Sequence, residues 1–424
     1  MKTLIKDGWI VDPSQNLFGI YDILIEDEKI SKVEKHIEID GCKVVEASGY
    51  YVCPGLIDAH VHLREPGQEY KETIKTGAMA AVAGGFTSIV CMPNTTPVID
   101  NEEVVQYVIN KGKKAKCNIY TMGSITKSLE GLEKSPYMEL VKAGIVGITD
   151  DGKTVMNTRV MYEAMMDAKA LEIPVSAHCE DINLVYDRSI NKGKMSEELN
   201  LEGVPALAEE VIIWRDIVLA DITEAHLHIQ HISTKKALEM VREAKKKGIN
   251  VTCEVTPHHF SLTEDEIKSL GSNGKMSPPL RTIEDVEALI EGIFDGTIDI
   301  IATDHAPHST EDKEKNLVDA ANGIVGLETA LGISLLELVH KRKMSIEKLI
   351  DKMSCTPAKL FKIPGGTLKE GSFADIILLD IEKEWIVDSN KFYSKSKNSP
   401  FHNRKLRGKA VTTIVRGEIQ FCEI

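Results

Sequence analysis

Leu56-Ile57-Asp58-Ala59-His60-Val61-His62-Leu63-Arg64-Glu65-Pro66-Gly67 decides the reading of this chain. The run from Leu56 is short and apolar, as a strand buried on both faces requires, and the Glu-Pro-Gly turn ends it. Side chains alternate along a strand, so His60 and His62 share one face, at the strand's C-terminal end. Seven more runs of this kind follow: Thr87 to Met92, Asn118 to Met122, Ile145 to Thr149, Pro174 to His178, Leu227 to His231, Asn250 to Val255 and Ile298 to Thr303. Amphipathic stretches separate them. Met161, Ala164, Met165, Ala168 and Leu171 recur at helical spacing, and Val325 to Leu338 reads as a longer apolar helix. This alternation predicts an α/β fold with a parallel sheet, and eight units are the number that closes a (β/α)8 TIM barrel. The stretch 179–226 is too long for one crossover and predicts an inserted helix.

The flanks differ. Residues 1–51 and 364–424 alternate in short strands with Gly and Asp turns. A 50-residue β segment buries too little surface to stand alone, so the two ends are expected to pair into one composite β-sandwich beside a catalytic barrel spanning 52–363.

Among 424 residues, 51 Lys+Arg oppose 65 Asp+Glu, and the net charge of −14 argues against nucleic acid or an anionic membrane as partner. The start lacks a signal-like apolar core and no apolar run approaches ~18 residues, so a cytoplasmic protein is expected. Eight scattered cysteines without a CxxC pair read as reduced core thiols.

In such barrels chemistry sits at the strands' C-terminal ends. Here those ends carry His60 and His62, Asp150 and Asp151, His178, His231 and Asp304, residue types suited to zinc. An isolated HxH pair is weak evidence in a chain with 13 histidines, and a second one, His226 and His228, lies on the face opposite His231 and reads as structural. Asp150 and Asp151 point to opposite faces, so at most one is a ligand, and the pair also suits a turn before Gly152. Asp304 ends an apolar run where an unpaired carboxylate is costly to bury. Metal coordination lowers the pKa of water from 15.7 to about 7, and a carboxylate beside that water can carry its proton to a leaving nitrogen. Asp304 is the candidate for that shuttle.

His60-Val61-His62-Leu63-Arg64-Glu65-Pro66-Gly67, Met92-Pro93-Asn94-Thr95, Thr149-Asp150-Asp151-Gly152, Thr256-Pro257-His258-His259 and Thr303-Asp304-His305-Ala306-Pro307-His308 together resemble the dihydroorotases, in the longer bacterial, type I class of the amidohydrolase superfamily. The likeness extends through Gly323-Ile324-Val325-Gly326 to the C-terminal flank. It implies reversible interconversion of N-carbamoyl-L-aspartate and L-dihydroorotate in pyrimidine synthesis, with one or two zinc ions. It further implies that His60, His62 and Asp304 hold one zinc and His178 and His231 the second. Asp151 bridges them where many relatives use a carboxylated lysine, and Lys153 stays solvated. Arg64 suits a bidentate contact to the substrate carboxylate. The resemblance adds Asn94 and His308 to that pocket and Gly323 as a backbone contact, with His258 and His259 in supporting roles. One departure is Ser277-Pro278-Pro279-Leu280-Arg281, where the family usually has Asn first and where hydantoinases and dihydropyrimidinases look more alike. The competing readings are therefore a hydantoinase-like cyclic amidase and a metal-free scaffold. A homodimer and an association with an aspartate transcarbamoylase are both compatible with the family. Gly271-Ser272-Asn273-Gly274 is flexible enough to serve as a lid.

Overall fold

The computed structural model describes residues 2–423. Strand Leu56–Val61 pairs in parallel with Phe86–Cys91, which pairs with Asn118–Thr121. A second parallel sheet runs Val175–Ala177, Leu227–Ile229, Val251–Val255, Ile300–Ile301. The expected run Ile145 to Thr149 forms only isolated bridges, but these join the two sheets: Ile148 pairs with both Gly123 and Val175. On the other side Val61 pairs in parallel with His305, and the His62 amide donates to the His305 carbonyl.

Helices cover the outside. Thr158–Ala170 buries Met161, Ala164, Met165 and Ala168 of the stripe read from spacing, with Val160 beside them and Leu171 half-buried at its end, and the Asn157 side chain caps its first turn. The stretch 179–226 holds the expected insertion, a short helix Lys194–Glu198 and the long helix Ala206–Thr223. The apolar run from Val325 starts its helix only at Ala330 and continues as wider π-type turns over Leu335–His340. The delay has a cause: the Gly326 and Leu327 amides point at His305 Nδ1 (3.2 and 3.5 Å), and the Val325 amide is bonded to the Asn398 carbonyl. No helix among the described residues is long and apolar enough to cross a membrane. Five cysteines are buried as expected, but Cys42 and Cys355 are half-buried and Cys422 is exposed.

The termini do meet, though as one sheet rather than the two layers of a sandwich. Its order is Glu418–Cys422, Lys405–Val415, Ile376–Ile386, Tyr51–Pro54, Lys2–Asp12, Leu17–Glu26, Lys29–Glu34, with Lys43–Glu46 beside the Lys2–Asp12 strand. Tyr51–Pro54 is the seam: it runs parallel to Lys2–Asp12 and antiparallel to Ile376–Ile386, so it belongs with this sheet and not with the segment that follows. Ile5, Ile10, Ile23, Val52, Ile376 and Val411 share one apolar cluster, so the sheet curls around its own core. Buried Asp12 ties the ends together by accepting bonds from the Ser14 amide (2.9 Å), Gln15 Nε2 (2.7 Å) and the Leu368 amide (2.7 Å).

Asp12→Ala leaves the buried Leu368 amide without an acceptor and is expected to cost about 2–3 kcal/mol. Chemical denaturation followed by the fluorescence of Trp9 and Trp385, both in this sheet, reads the effect. An unchanged midpoint would remove Asp12 as the tie.

Candidate active site

At the C-terminal ends of the parallel strands the chain must turn at once, and three site residues do so in the left-handed region: Arg64 (φ 59°), His231 (φ 31°) and Asp304 (φ 47°). Such backbone costs about 1–3 kcal/mol per residue and persists where the surroundings fix it. The result is a dense cluster. Asp151 Oδ1 lies 3.3 Å from His60 Nε2, 3.7 Å from His231 Nε2 and 3.8 Å from His178 Nδ1, while its Oδ2 lies 3.3 Å from His62 Nε2. Asp304 Oδ1 is 3.0 Å from His62 Nε2 and 3.5 Å from His60 Nε2. All six side chains are buried. Two groups of ligand atoms, His60-His62-Asp151 and Asp151-His178-His231, each lie within 4.8 Å, with Asp151 common to both.

Tautomers argue for a cation here. His60 Nδ1 is 2.6 Å from Glu254 Oε1, so Nδ1 carries the proton and Nε2 turns a lone pair toward Asp151. His62 Nδ1 likewise donates to Asn94 Oδ1 at 2.9 Å, leaving Nε2 to face both carboxylates. Among the described residues, His60 Nε2 and Asp151 Oδ1 have no hydrogen-bond partner. Lone pairs facing lone pairs in a buried site need positive charge between them. A proton on Nε2 is one source of that charge. Burial disfavours the His60 cation, yet Asp151 and Glu254 outweigh it and raise its pKa well above the usual value. Burial also opposes ionisation of Asp151 and Asp304, but the neighbouring imidazoles, His60 foremost, hold both carboxyls below their ordinary range. The donor set fits a divalent metal bound by nitrogen and carboxylate oxygen.

Asp150 is excluded from this cluster. Its Oδ1 accepts from the Thr126 amide at 2.9 Å and its Oδ2 from the Thr126 hydroxyl, which settles which of the two aspartates faces the site. Lys153 is exposed, as expected. His228 and His226 both meet Thr252 Oγ1, and His228 Nε2 also donates to Glu254 Oε2 at 3.1 Å. His259 Nε2 donates to the Pro278 carbonyl at 3.0 Å and so holds the segment behind Ser277, while His258 is buried beside it.

A cavity of about 200 Å³ opens over the cluster, and Arg64, Asn94, Ser277, His308 and Gly323 all line it together with His62, His178, His231 and Asp304. Arg64 is buried; its Nε donates to the Pro307 carbonyl at 3.1 Å and its Nη2 lies 3.3 Å from His308 Nε2. His308 donates from Nε2 to the Asn322 carbonyl at 2.8 Å, and burial with the Arg64 charge pushes its pKa down to about 2. It is no helix cap, since Ser309 fills that role. Asn94 does more than line the cavity: besides orienting His62, its Nδ2 reaches the Asp151 backbone carbonyl at 3.3 Å. Gly323 (φ 125°) is required as glycine, since a Cβ would sit 2.6 Å from the Ala306 Cβ. The segment expected to be flexible is anchored at its C-terminal end. Gly274 and Lys275 are buried, and Lys275 Nζ donates to the carbonyls of Val318 (2.8 Å) and Ala320 (2.6 Å).

Two residues escaped the sequence reading. Glu254 stands in the apolar run Val251 to Val255, where the cost of burying a carboxylate, the argument applied to Asp304, would have found it. Arg188 also lines the cavity, paired with Glu180 at 2.7 Å, from an insertion that carries no strand-end signal.

Partners that orient metal-binding histidines typically contribute 10–100-fold in metal affinity. Glu254→Gln is expected to weaken metal binding by about that factor, measured by competition with a chromogenic chelator. Affinity within twofold of the parent would remove Glu254 from the site.

The model of the family described as "Dihydro-orotase-like" matches residues 49–237. A dihydroorotase of Acetivibrio thermocellus is 49% identical over 98% of this chain and 98% of its own length, and one of Geobacter metallireducens is 47% identical over 99% and 100%. Among solved structures, the L-hydantoinase (dihydropyrimidinase) from Arthrobacter aurescens superposes with a TM-score of 0.89 at 26% identity, over 99% of this chain and 96% of that one. Near-complete coverage at close to half identity, with the buried histidine-aspartate cluster in place, leads to one conclusion: the chain belongs to the dihydroorotase family.

Proposed function

We propose that this chain is a cytoplasmic dihydroorotase that interconverts N-carbamoyl-L-aspartate and L-dihydroorotate plus water in pyrimidine synthesis. The observation that carries the substrate class is Arg64. Its guanidinium is buried at the cavity wall, bonded to a neutral carbonyl and beside a neutral imidazole, and among the described residues no carboxylate pairs with it. A buried cation of this kind calls for an anionic ligand, and dihydroorotate carries a carboxylate beside its ring nitrogen. Asn94, His308, Ser277 and the Gly323 backbone surround the same space and would fix the rest of the ring.

The proposed metal is zinc, one or two ions. His60, His62 and Asp304 would hold one, His178 and His231 the other, and Asp151 both. Bound there, zinc would polarise the ring carbonyl and lower the pKa of water to about 7. The protein's own contribution to the chemistry is Asp304. Lying beside His62 (3.0 Å) and His60 (3.5 Å), it would take a proton from the attacking water and deliver it to the ring nitrogen as the C–N bond breaks and the C–O bond forms. Cyclisation runs the same transfers backwards.

In this reading the eight parallel segments, joined through Ile148 and through Val61 and His305, make one closed (β/α)8 barrel over residues 55–363. Residues 1–51 and 364–424, with Tyr51–Pro54, make the composite β unit. A hydantoinase-like amidase is the second reading, favoured by Ser277 on the cavity wall.

Rates on L-dihydroorotate and on dihydrouracil, which lacks the carboxylate, separate the two readings: a large preference for dihydroorotate is expected, and comparable rates would favour the hydantoinase-like one. Arg64→Met should lower kcat/KM for dihydroorotate about 10- to 100-fold, the worth of a charged hydrogen bond, and leave dihydrouracil little changed. Unchanged dihydroorotate kinetics would show that the carboxylate binds elsewhere. Asp304→Asn should keep most of the metal while losing about 10²- to 10⁴-fold in kcat. Turnover near the parent's would sink Asp304 as the proton carrier.

A further inference from the structure

Residues 387–404 leave the terminal β sheet between Ile376–Ile386 and Lys405–Val415. The excursion is closed at its base, where the Val387 amide donates to the Arg404 carbonyl (3.0 Å) and the Asn403 amide to the Val387 carbonyl (2.8 Å). Phe401 anchors it in the main apolar core. From Tyr393 to Asn398 exposed and buried positions alternate, with Lys395 and Lys397 outside and Ser394, Ser396 and Asn398 inside. A segment that only packed would turn apolar side chains inward, but this one turns hydrogen-bonding groups, and each must find a partner.

The partners are loops of the site. Ser394 Oγ donates to Glu72 Oε2 and Ser396 Oγ to the Lys71 carbonyl (2.7 Å), both on the loop that follows Arg64. Asn398 is buried, and its side chain is fully used. Its Oδ1 accepts from the His308 amide (3.2 Å), while Nδ2 donates to the carbonyls of Ala306 (3.1 Å) and Gly323 (3.1 Å). The amide cannot face the other way, since its oxygen would then meet two carbonyls and its N–H groups another N–H. Two of these bonds bracket Pro307: the Ala306 carbonyl on one side and the His308 amide on the other are held, and the Pro307 carbonyl between them receives Arg64 Nε at 3.1 Å. The third ties that bracket to Gly323, which lines the same cavity. A side chain this short that offers one acceptor and two donors at a single point is asparagine's alone.

We infer that Asn398 is the positioning residue of the substrate carboxylate site: it seats Arg64 through Pro307 and ties Gly323 to the same wall. The terminal β unit thereby supplies part of the frame of the active site. The inference rests on the proposed assignment of Arg64 to the substrate carboxylate; its own failure is read in variants of Asn398, that of the assignment in the parent.

Hydrogen exchange of the full chain, followed by mass spectrometry, tests the tie without substrate. In Asn398→Ala the peptides spanning 305–309 and 322–325 are expected to exchange at least about 10-fold faster than in the parent, while strand Val251–Val255 keeps its protection. Asn398→Asp keeps the shape and the acceptor but turns a second oxygen on two carbonyls, and should open the same peptides further. Parent-like exchange of both peptides in both variants would remove Asn398 as the tie. The second readout is the ratio of kcat/KM for L-dihydroorotate to that for dihydrouracil. With Arg64 unseated this ratio should fall at least about 10-fold in Asn398→Ala at the parent's metal content, whereas a mere loss of folded protein lowers both rates alike and leaves the ratio. A selective parent whose variants keep the full ratio would sink the positioning role. A parent with no preference for dihydroorotate would sink the carboxylate assignment itself, and with it the site that Asn398 is held to position.

Discussion

Buried carboxylates and imidazoles can coexist only if their lone pairs are shared with protons or cations, and much of this structure answers that demand. Asp151 and Asp304 face four imidazoles across 3.0–3.8 Å. Glu254 and Asn94 draw the Nδ1 protons of His60 and His62 away from the centre, which turns both Nε2 atoms inward. The arrangement is therefore set from behind. A ring that gave up its outer bond could swap tautomers and present an N–H to the centre, where a cation would be repelled.

The same demand reaches into the backbone. Asp58, fully buried one residue before Ala59, accepts from the His60 amide and the Thr303 amide, both at 3.1 Å, and so stitches the strand that carries the two histidines to the segment that carries Asp304. Burial pushes its carboxyl up to about 7, against the bonds from Thr303 and His60. The backbone bond from His62 to His305 adds a second stitch, and His305 in turn receives the Gly326 amide. Ligands that are distant in sequence are held together by short bonds between neighbouring strand ends. The late start of the helix at Ala330 follows from bonds beside these stitches, since the Gly326 and Leu327 amides go to His305 and the Val325 amide to the Asn398 carbonyl.

What the sequence revealed followed periodicity and strand-end position. Alternation placed His60 and His62 on one face, and helical spacing found Met161 to Ala168. What it missed depended on three-dimensional company. Asp150 and Asp151 are equal as letters; only the Thr126 hydroxyl and amide decide between them. A composite of the two termini could be inferred from the poverty of each end, but not that Tyr51–Pro54 would fuse them into one curled sheet, because a four-residue strand has no pattern of its own. The glycine-rich stretch before Ser277 suggested mobility by composition, and the buried Lys275 ammonium cancels it with bonds to carbonyls more than forty residues away.

That lysine bears on how one fold serves different cyclic amides. A hydantoinase at 26% identity superposes over almost the whole chain, so the difference in substrate has to lie in the few side chains around the cavity and in what fixes them. Arg64 is one such feature. The loop facing it is another: Lys313, also buried, donates to the carbonyls of Lys275 (3.2 Å), Ala321 (2.9 Å) and Gly323 (3.0 Å), while the Gly323 amide returns a bond to the Lys275 carbonyl. Lys275 and Lys313, which have no carboxylate partner among the described residues, thus hold Asn322 and Gly323 against the segment that carries Ser277. Burial and the neighbouring Lys275 push Lys313 down to about 7. Ser277 and the buried Arg64 cation thus line one cavity whose facing loop is fixed from behind.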